Sequence, residues 1–418
     1  LPYYIIASLL VAVVFVVDMG LYPFWGFKLD ASIFLYLDSP KEAMASVSFG
    51  FILLRVVAML MLTTFYVWLM CKVTPHQLEV TAKRIGGTLG MLFLGGILFI
   101  IIRGGVTEST SNVGQVYFSN NQFLNHSAVN PCFSLLSSMG KSKDFASEFN
   151  FFEEEKRAKL VEGLYPTSDG DSLKQVLTTN RPNVLLILME GFGGAFIEPL
   201  GGLPDVAPNL NRLSEEGIFF THCYANSFRT DRGTVCALSG YLGLPTVSVM
   251  KIPTKSRTLP AISEELVKAG YQTDFLYGGD INFTNMKSYL LSKGYQHLTA
   301  DTDFSLAERN SNVWGVNDDI TSEWLLNHLK QRSDKETPWF TTYLTLSSHE
   351  PFDVPYSRLE EKIPNAFAYT DECLGKLIEG LKQTPLWKDL LIVCIPDHGF
   401  CYPQGTTDRG GEFSHIPM

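Results

Sequence analysis

Three long stretches of the chain carry almost no charge, and they limit what it can fold into more than any other feature. Residues 1–17 contain no charged side chain, 47–71 contain only Arg55, and 86–102 contain none. Each run approaches or exceeds the roughly 20 residues a helix needs to cross the hydrocarbon core of a bilayer. A cleaved leader would account for the first run and leave the other two unexplained. Three membrane helices are therefore expected within residues 1–103, at about 1–17, 47–71 and 86–102.

Composition then separates the chain into parts. It has 418 residues, 46% of them hydrophobic and 18% charged, with a net charge of -10. That is too long for one small core and too apolar for a disordered or nucleic-acid-coating chain, so no nucleic-acid partner is expected. The first 103 residues hold seven basic and five acidic groups, so the acidic excess lies in the remainder. The loop between the second and third runs carries Lys72, Lys83 and Arg84 against Glu79, whereas residues 18–46 carry two lysines against four acids. Positive charge marks the cytoplasmic side, which places everything after Arg103 outside the cytoplasm. Arg55 lies towards the outer end of its span, either as a functional group or as a cation snorkelling to nearby headgroups. The seven cysteines show no metal-finger spacing, and mostly buried thiols are expected.

Residues 104–180 read as a linker, polar around 109–125 and then helix-prone over 148–164. From residue 181 to 418 apolar runs alternate with helical stretches. The run 183–189 (NVLLILM) has the near-continuous apolarity of a parallel strand buried on both faces, and similar runs recur at 273–277, 340–346 and 390–395. Helical patterns at 259–269, 320–330 and 366–381 lie between them. An α/β domain with a mostly parallel sheet flanked by helices follows, preceded by transmembrane α-helices.

In such sheets the ligand site lies beyond the carboxyl ends of the strands. The residues found there are Glu190, then Gly278-Gly279-Asp280, then His349 in SSHEPF, then Asp397-His398-Gly399. Glu190, Asp397, His398 and a hydroxyl form a mixed oxygen and nitrogen set suited to a divalent metal such as Mn, Mg or Zn. Glu190 is more than a solvated loop acid because it directly follows a buried strand; Asp397-His398-Gly399 alone is also ordinary turn chemistry. A further strand is expected over 218–224, leading through Asn226-Ser-Phe-Arg-Thr-Asp-Arg-Gly-Thr234 into a helix. Thr230 would then sit near an anion-binding helix start between Arg229 and Arg232, as a nucleophile or simply as a cap. The Gly191-Phe-Gly-Gly194 segment is too incomplete for a dinucleotide fingerprint.

Several membrane helices followed by MEG, RTDRG, WG-x-x-D, LSSHEPF and PDHG resemble the lipoteichoic acid synthase and phosphoglycerol transferase branch of the alkaline phosphatase superfamily, across the whole chain. The resemblance implies an alkaline-phosphatase-like sheet, with Glu190, Thr230, Asp397 and His398 as metal ligands and Thr230 also as nucleophile. His349 would contact the glycerophosphate group, and Asp280, Asn282 and Trp314 would line the pocket; Arg229 and Arg232, which flank Thr230, are expected to bind the substrate by neutralising charge on its phosphoryl oxygens. It further implies a manganese-dependent enzyme, with Mg or Zn as substitutes, in a bacterial plasma membrane. The donor would be phosphatidylglycerol and the acceptor a glycan or growing polymer. Sulfate ester hydrolysis is disfavoured, because RTDRG lacks the C/S-x-P-S-R pattern of sulfatases. The alternatives are a phosphoethanolamine transferase and a catalytically silent sensor or scaffold; the latter should lack a ligand or the nucleophile, and all four positions are filled. Family members usually carry five membrane helices and continue past the last motif, so a fragment of a longer enzyme is expected.

Overall fold

The computed structural model describes residues 1–37, 48–74, 84–107, 109–140, 145–162, 176–332, 337–400, 402–403 and 411–418. The chain divides into two compact units, residues 1–89 with 126–178, and residues 90–125 with 179–418.

Among the described residues, three helices are long and apolar enough to cross a membrane: Pro2–Trp25, Phe49–Val73 and Ile85–Arg103. The first overruns its charge-free segment and takes in Asp18, ending where Gly26 turns into the left-handed region at φ 60°. Its charged residue is accommodated by a buried ion pair with Lys28. The second helix starts at Ser48, whose hydroxyl accepts from the Phe51 N–H. Within it, Thr63 and Thr64 return their hydroxyls to the carbonyls of Met59 and Leu60, leaving no side-chain donor facing an apolar medium unpaired at those positions. Arg55 lies against Gly20 of the first helix and over the Phe51 ring. The helix expected over 148–164 is instead two short pieces among the described residues, Phe145–Glu148 and Glu154–Glu162. The expected linker is also divided, since residues 104–125 belong to the second unit and 126–178 to the first.

The second unit is built on a five-stranded parallel sheet. Its strands are β1 (Asn183–Met189), β3 (Gln272–Tyr277), β4 (His297–Thr299), β5 (Trp339–Leu344) and β6 (Leu390–Pro396), in the order β4-β3-β5-β1-β6. Alternate side chains of one strand feed opposite faces. Leu185, Ile187 and Met189 enter a core with Phe367, Leu374 and Leu377 of helix Lys362–Lys382, while Leu186 and Leu188 enter another with Val235 and Leu238 of helix Thr230–Ser239. This double burial is why β1 reads as a continuous apolar run. The strand expected over 218–224 is reduced to β2 (Cys223–Tyr224), which pairs antiparallel with β7 (His415–Ile416) in a separate two-stranded sheet. The six cysteines among the described residues are free thiols, and Cys401 lies outside them.

Candidate active site

Register brings the site together. Met189 of β1 stands opposite Pro396 of β6, so the next residue on each strand, Glu190 and Asp397, emerges at the same sheet end. The backbone of Glu190 is fixed by two hydroxyls: its N–H donates to Thr345 Oγ1 at 2.9 Å, and Ser348 Oγ donates to its carbonyl at 2.6 Å. Asp397 Oδ1 accepts the N–H groups of Gly191 and His398 at 3.0 and 2.9 Å. His398 turns Nδ1 to the Gly399 carbonyl at 2.7 Å, a partner that requires the proton on Nδ1. Its Nε2 is thereby aimed at Glu190 Oε1, 3.4 Å away, and at Asp397 Oδ2, 3.6 Å away.

The hydroxyl arrives from the opposite side. Helix Thr230–Ser239 begins at Thr230, whose Oγ1 donates to Glu190 Oε2 at 2.9 Å. The helix can approach this closely because residue 233 is glycine; a Cβ there would lie 2.0 Å from the Asp397 carbonyl oxygen. The glycine of RTDRG is thus required by contact with the strand end that carries the acid.

Two carboxylates and one imidazole crowd together here, each nearly removed from water. Burial alone disfavours the imidazolium, but Asp397 and Glu190 outweigh it and push His398 up to about 10. Burial, reinforced by the negative charge of Glu190, pushes Asp397 up to about 6. Burial also opposes ionisation of Glu190, yet the hydrogen bond and charge of His398 hold it below the usual carboxylate range. Among the described residues, no donor hydrogen-bonds the buried Asp397 Oδ2. The ligand atoms of Glu190, Asp397 and His398 all lie within 4.8 Å of one another. A buried excess of negative charge with an oxygen lacking a donor, beside an imidazole whose tautomer is already fixed, fits a divalent cation.

The cluster opens into a cavity of about 760 Å³ whose lining includes Glu190, Arg229, Thr230, Trp314, His349 and His398. His349 sits on a loop held by Asp318, the acid of WG-x-x-D, which accepts the N–H groups of Leu346 and Ser347 at 2.8 and 3.0 Å. Trp314 lies with its ring 4.6 Å from that of His349 and donates its indole N–H to the Glu350 carbonyl at 2.6 Å. Among the described residues, the lining does not include Arg232, Asp280 or Asn282. Arg232 instead donates to the Pro245 carbonyl and lies over the Phe228 ring. Asp280 and Asn282 form a turn in which Asp280 Oδ1 accepts the Asn282 N–H at 2.9 Å. Sequence reasoning missed Tyr277, Phe283 and Asp231 in the lining; Tyr277 is the last residue of β3, one position short of the residues beyond the strand end where the ligand site is expected.

Fold and site together define an enzyme of the alkaline phosphatase superfamily, with paired acids, a histidine and a helix-start threonine at the strand ends. A crystal structure of a protein in that superfamily from Vibrio parahaemolyticus superposes with a TM-score of 0.56 at 27% identity, over 64% of this chain and 68% of that one. A lipoteichoic acid synthase from Listeria monocytogenes shares the fold, with a TM-score of 0.52 at 17% identity over 56% of this chain and 64% of that one. The sequence profile of the Sulfatase family matches residues 182–417, more than half of the chain, and the chain belongs to that family. Phosphoglycerol transferase I from Salmonella arizonae is 25% identical over 218 residues, 47% of this chain and 28% of that protein. Phosphoglycerol transferase I from Escherichia coli strain 55989 is 26% identical over 216 residues, again 47% and 28%. The match thus spans little more than a quarter of the length of these curated relatives.

Proposed function

We propose that the protein is a membrane-anchored, metal-dependent transferase that moves phosphoglycerol from phosphatidylglycerol to a hydroxyl of a glycan or growing polymer, through a phospho-threonine intermediate. The observation that carries this reading is the Thr230 hydroxyl, held 2.9 Å from Glu190 at a helix start beside a charge-unbalanced metal-type cluster. The similarity to phosphoglycerol transferase I supports the headgroup, and the three apolar helices support the membrane anchor and the lipid donor. The RTDRG sequence, without the sulfatase nucleophile pattern, argues against sulfate esters.

Glu190, Asp397 and His398, with Thr230, would hold the cation, manganese being the first expectation. When bound, it supplies positive charge to the phosphoryl oxygens and lowers the pKa of a ligating hydroxyl. The chain's own residues do the rest. Thr230 Oγ1 attacks phosphorus; the new bond forms as the bond to the diacylglycerol oxygen breaks, and that oxygen takes up a proton. The acceptor hydroxyl then attacks the same phosphorus, gives up its proton and releases Thr230. The N–H groups of the helix start and the Arg229 guanidinium favour the anionic group. His349, with Nδ1 engaged by the Glu350 carbonyl at 2.9 Å, presents Nε2 to the headgroup.

Turnover with labelled lipids tests the reading. Diacylglycerol released from phosphatidylglycerol in the presence of manganese and a soluble glucan is the expected product. Release from phosphatidylethanolamine alone would assign the enzyme to phosphoethanolamine transfer instead.

A further inference from the structure

The pocket wall contains two consecutive residues in a backbone region that side chains other than glycine seldom adopt, Thr284 at φ 54° and Asn285 at φ 68°. Thr284 and its neighbours Phe283 and Met286 line the cavity. For a β-branched residue this conformation is unfavourable and persists only where surrounding contacts enforce it.

Those contacts come in part from the segment that follows the third apolar helix. The Ser111 N–H donates to the carbonyl of Arg103, the last residue of that helix, at 2.7 Å. Asn112 then caps the short 3-10 turn Val113–Val116 and donates its Nδ2 to the Asn282 carbonyl at 2.7 Å. The Gly114 N–H donates to Asn285 Oδ1 at 3.1 Å, and Asn285 Nδ2 reaches the Met250 carbonyl at 3.3 Å and Ser288 Oγ at 3.2 Å. Gly114 is buried so tightly that a Cβ there would lie 2.8 Å from Asn285 Oδ1 and 2.9 Å from Ser288 Cβ. One hydrogen-bonded path therefore runs from the end of a membrane-length helix to the strained wall, wholly within the second unit.

We infer that residues 111–116 form a strap that sets the pocket wall Phe283–Met286 in its substrate-binding conformation, with Asn112, Gly114 and Asn285 as positioning residues. Asp280 and Asn282 belong to the turn on which the strap seats, which explains why they stand beside the pocket without lining it. A wall held from the membrane side sets how the headgroup is seated, while Thr230 and the acidic cluster keep their geometry. Its signature is therefore in KM more than in kcat. The kinetic part rests on the proposed transferase activity; the structural part does not.

Hydrogen exchange and kinetics of the full chain in detergent micelles, for Gly114→Ala and the milder Asn112→Ala, test it. Exchange across residues 282–288 should become about tenfold faster or more in both variants, with β1 and β5 unchanged. KM for phosphatidylglycerol should rise about three- to tenfold, with kcat within about twofold of the parent. Unchanged exchange at 282–288 in Asn112→Ala, or faster exchange with KM unaltered, overturns the inference. A parent protein that turns over no lipid refutes the transferase reading instead, and the exchange result then decides the strap alone.

Discussion

Two buried charge clusters, one in each unit, look alike in composition and differ in completeness. In the first unit Asp18 pairs with Lys28, and its other oxygen accepts the Leu29 N–H at 2.8 Å, so the charges cancel and both carboxylate oxygens have a donor. In the second unit Glu190 and Asp397 face a single imidazole, and among the described residues no donor hydrogen-bonds Asp397 Oδ2. The closed cluster accounts for itself as structure. The open one carries negative charge that its imidazole does not balance, and there a hydroxyl, Thr230, approaches the carboxylates.

The contrast can be broken in order of expected effect. Thr230→Ala should lower lipid turnover on the order of 10³-fold or more while leaving the melting midpoint near the parent's, because it removes the hydroxyl proposed to form the covalent bond. A residual rate within tenfold of the parent in a radiolabelled lipid assay would assign the nucleophile elsewhere. Asp18→Asn should act in the opposite way. It strands the buried Lys28 charge and should cost about 3–5 kcal/mol of stability, read from chemical denaturation with and without metal. If that loss is rescued by manganese, the two clusters are not distinct in kind.

A smaller effect follows from the histidine. In the metal-free site His398 is protonated below about 10, and a cation that binds through its nitrogen must expel that proton. Affinity should therefore increase with pH, by about tenfold per unit between the Asp397 value of about 6 and the His398 value of about 10, and more steeply below 6 where Asp397 also carries a proton. Calorimetric titration at several pH values measures the slope, and a flat profile would remove His398 from the ligand set. The smallest expected effect is on the metal-free stability of Asp397→Asn. The amide oxygen keeps the two backbone hydrogen bonds and relieves repulsion from Glu190, so the change should stay under about 1 kcal/mol, while stabilisation by added metal disappears from thermal scans.

The same comparison shows what the sequence makes legible. The strand β1 is readable because burial on both faces leaves it apolar from Val184 to Met189, and its end then points to Glu190. The apolar helices are equally plain, although Pro2–Trp25 passes its charge-free segment by absorbing an ion pair that hydropathy cannot foresee. β4 has only three residues, His297–Thr299, and carries no apolar run to announce it. Arg232, Asp280 and Asn282 are close in sequence to true lining residues, yet whether a loop faces the cavity depends on distant partners: the Pro245 carbonyl for the Arg232 side chain, and Asn112 for the backbone carbonyl of Asn282. The salt bridge of Asp231 with Lys251, at 3.1 Å, escapes a sequence reading for the same reason.

The central claim is that Thr230 and the open cluster form one phosphoryl-transfer site. Its most direct test is peptide mass mapping after incubation with manganese and phosphatidylglycerol labelled in the headgroup, without acceptor. The account predicts a glycerophosphate adduct on the peptide containing Thr230, absent in Thr230→Ala and Asp397→Asn and discharged when a glycan acceptor is added. An adduct that maps to another residue, or product formation in Thr230→Ala at the parent's rate, would contradict it.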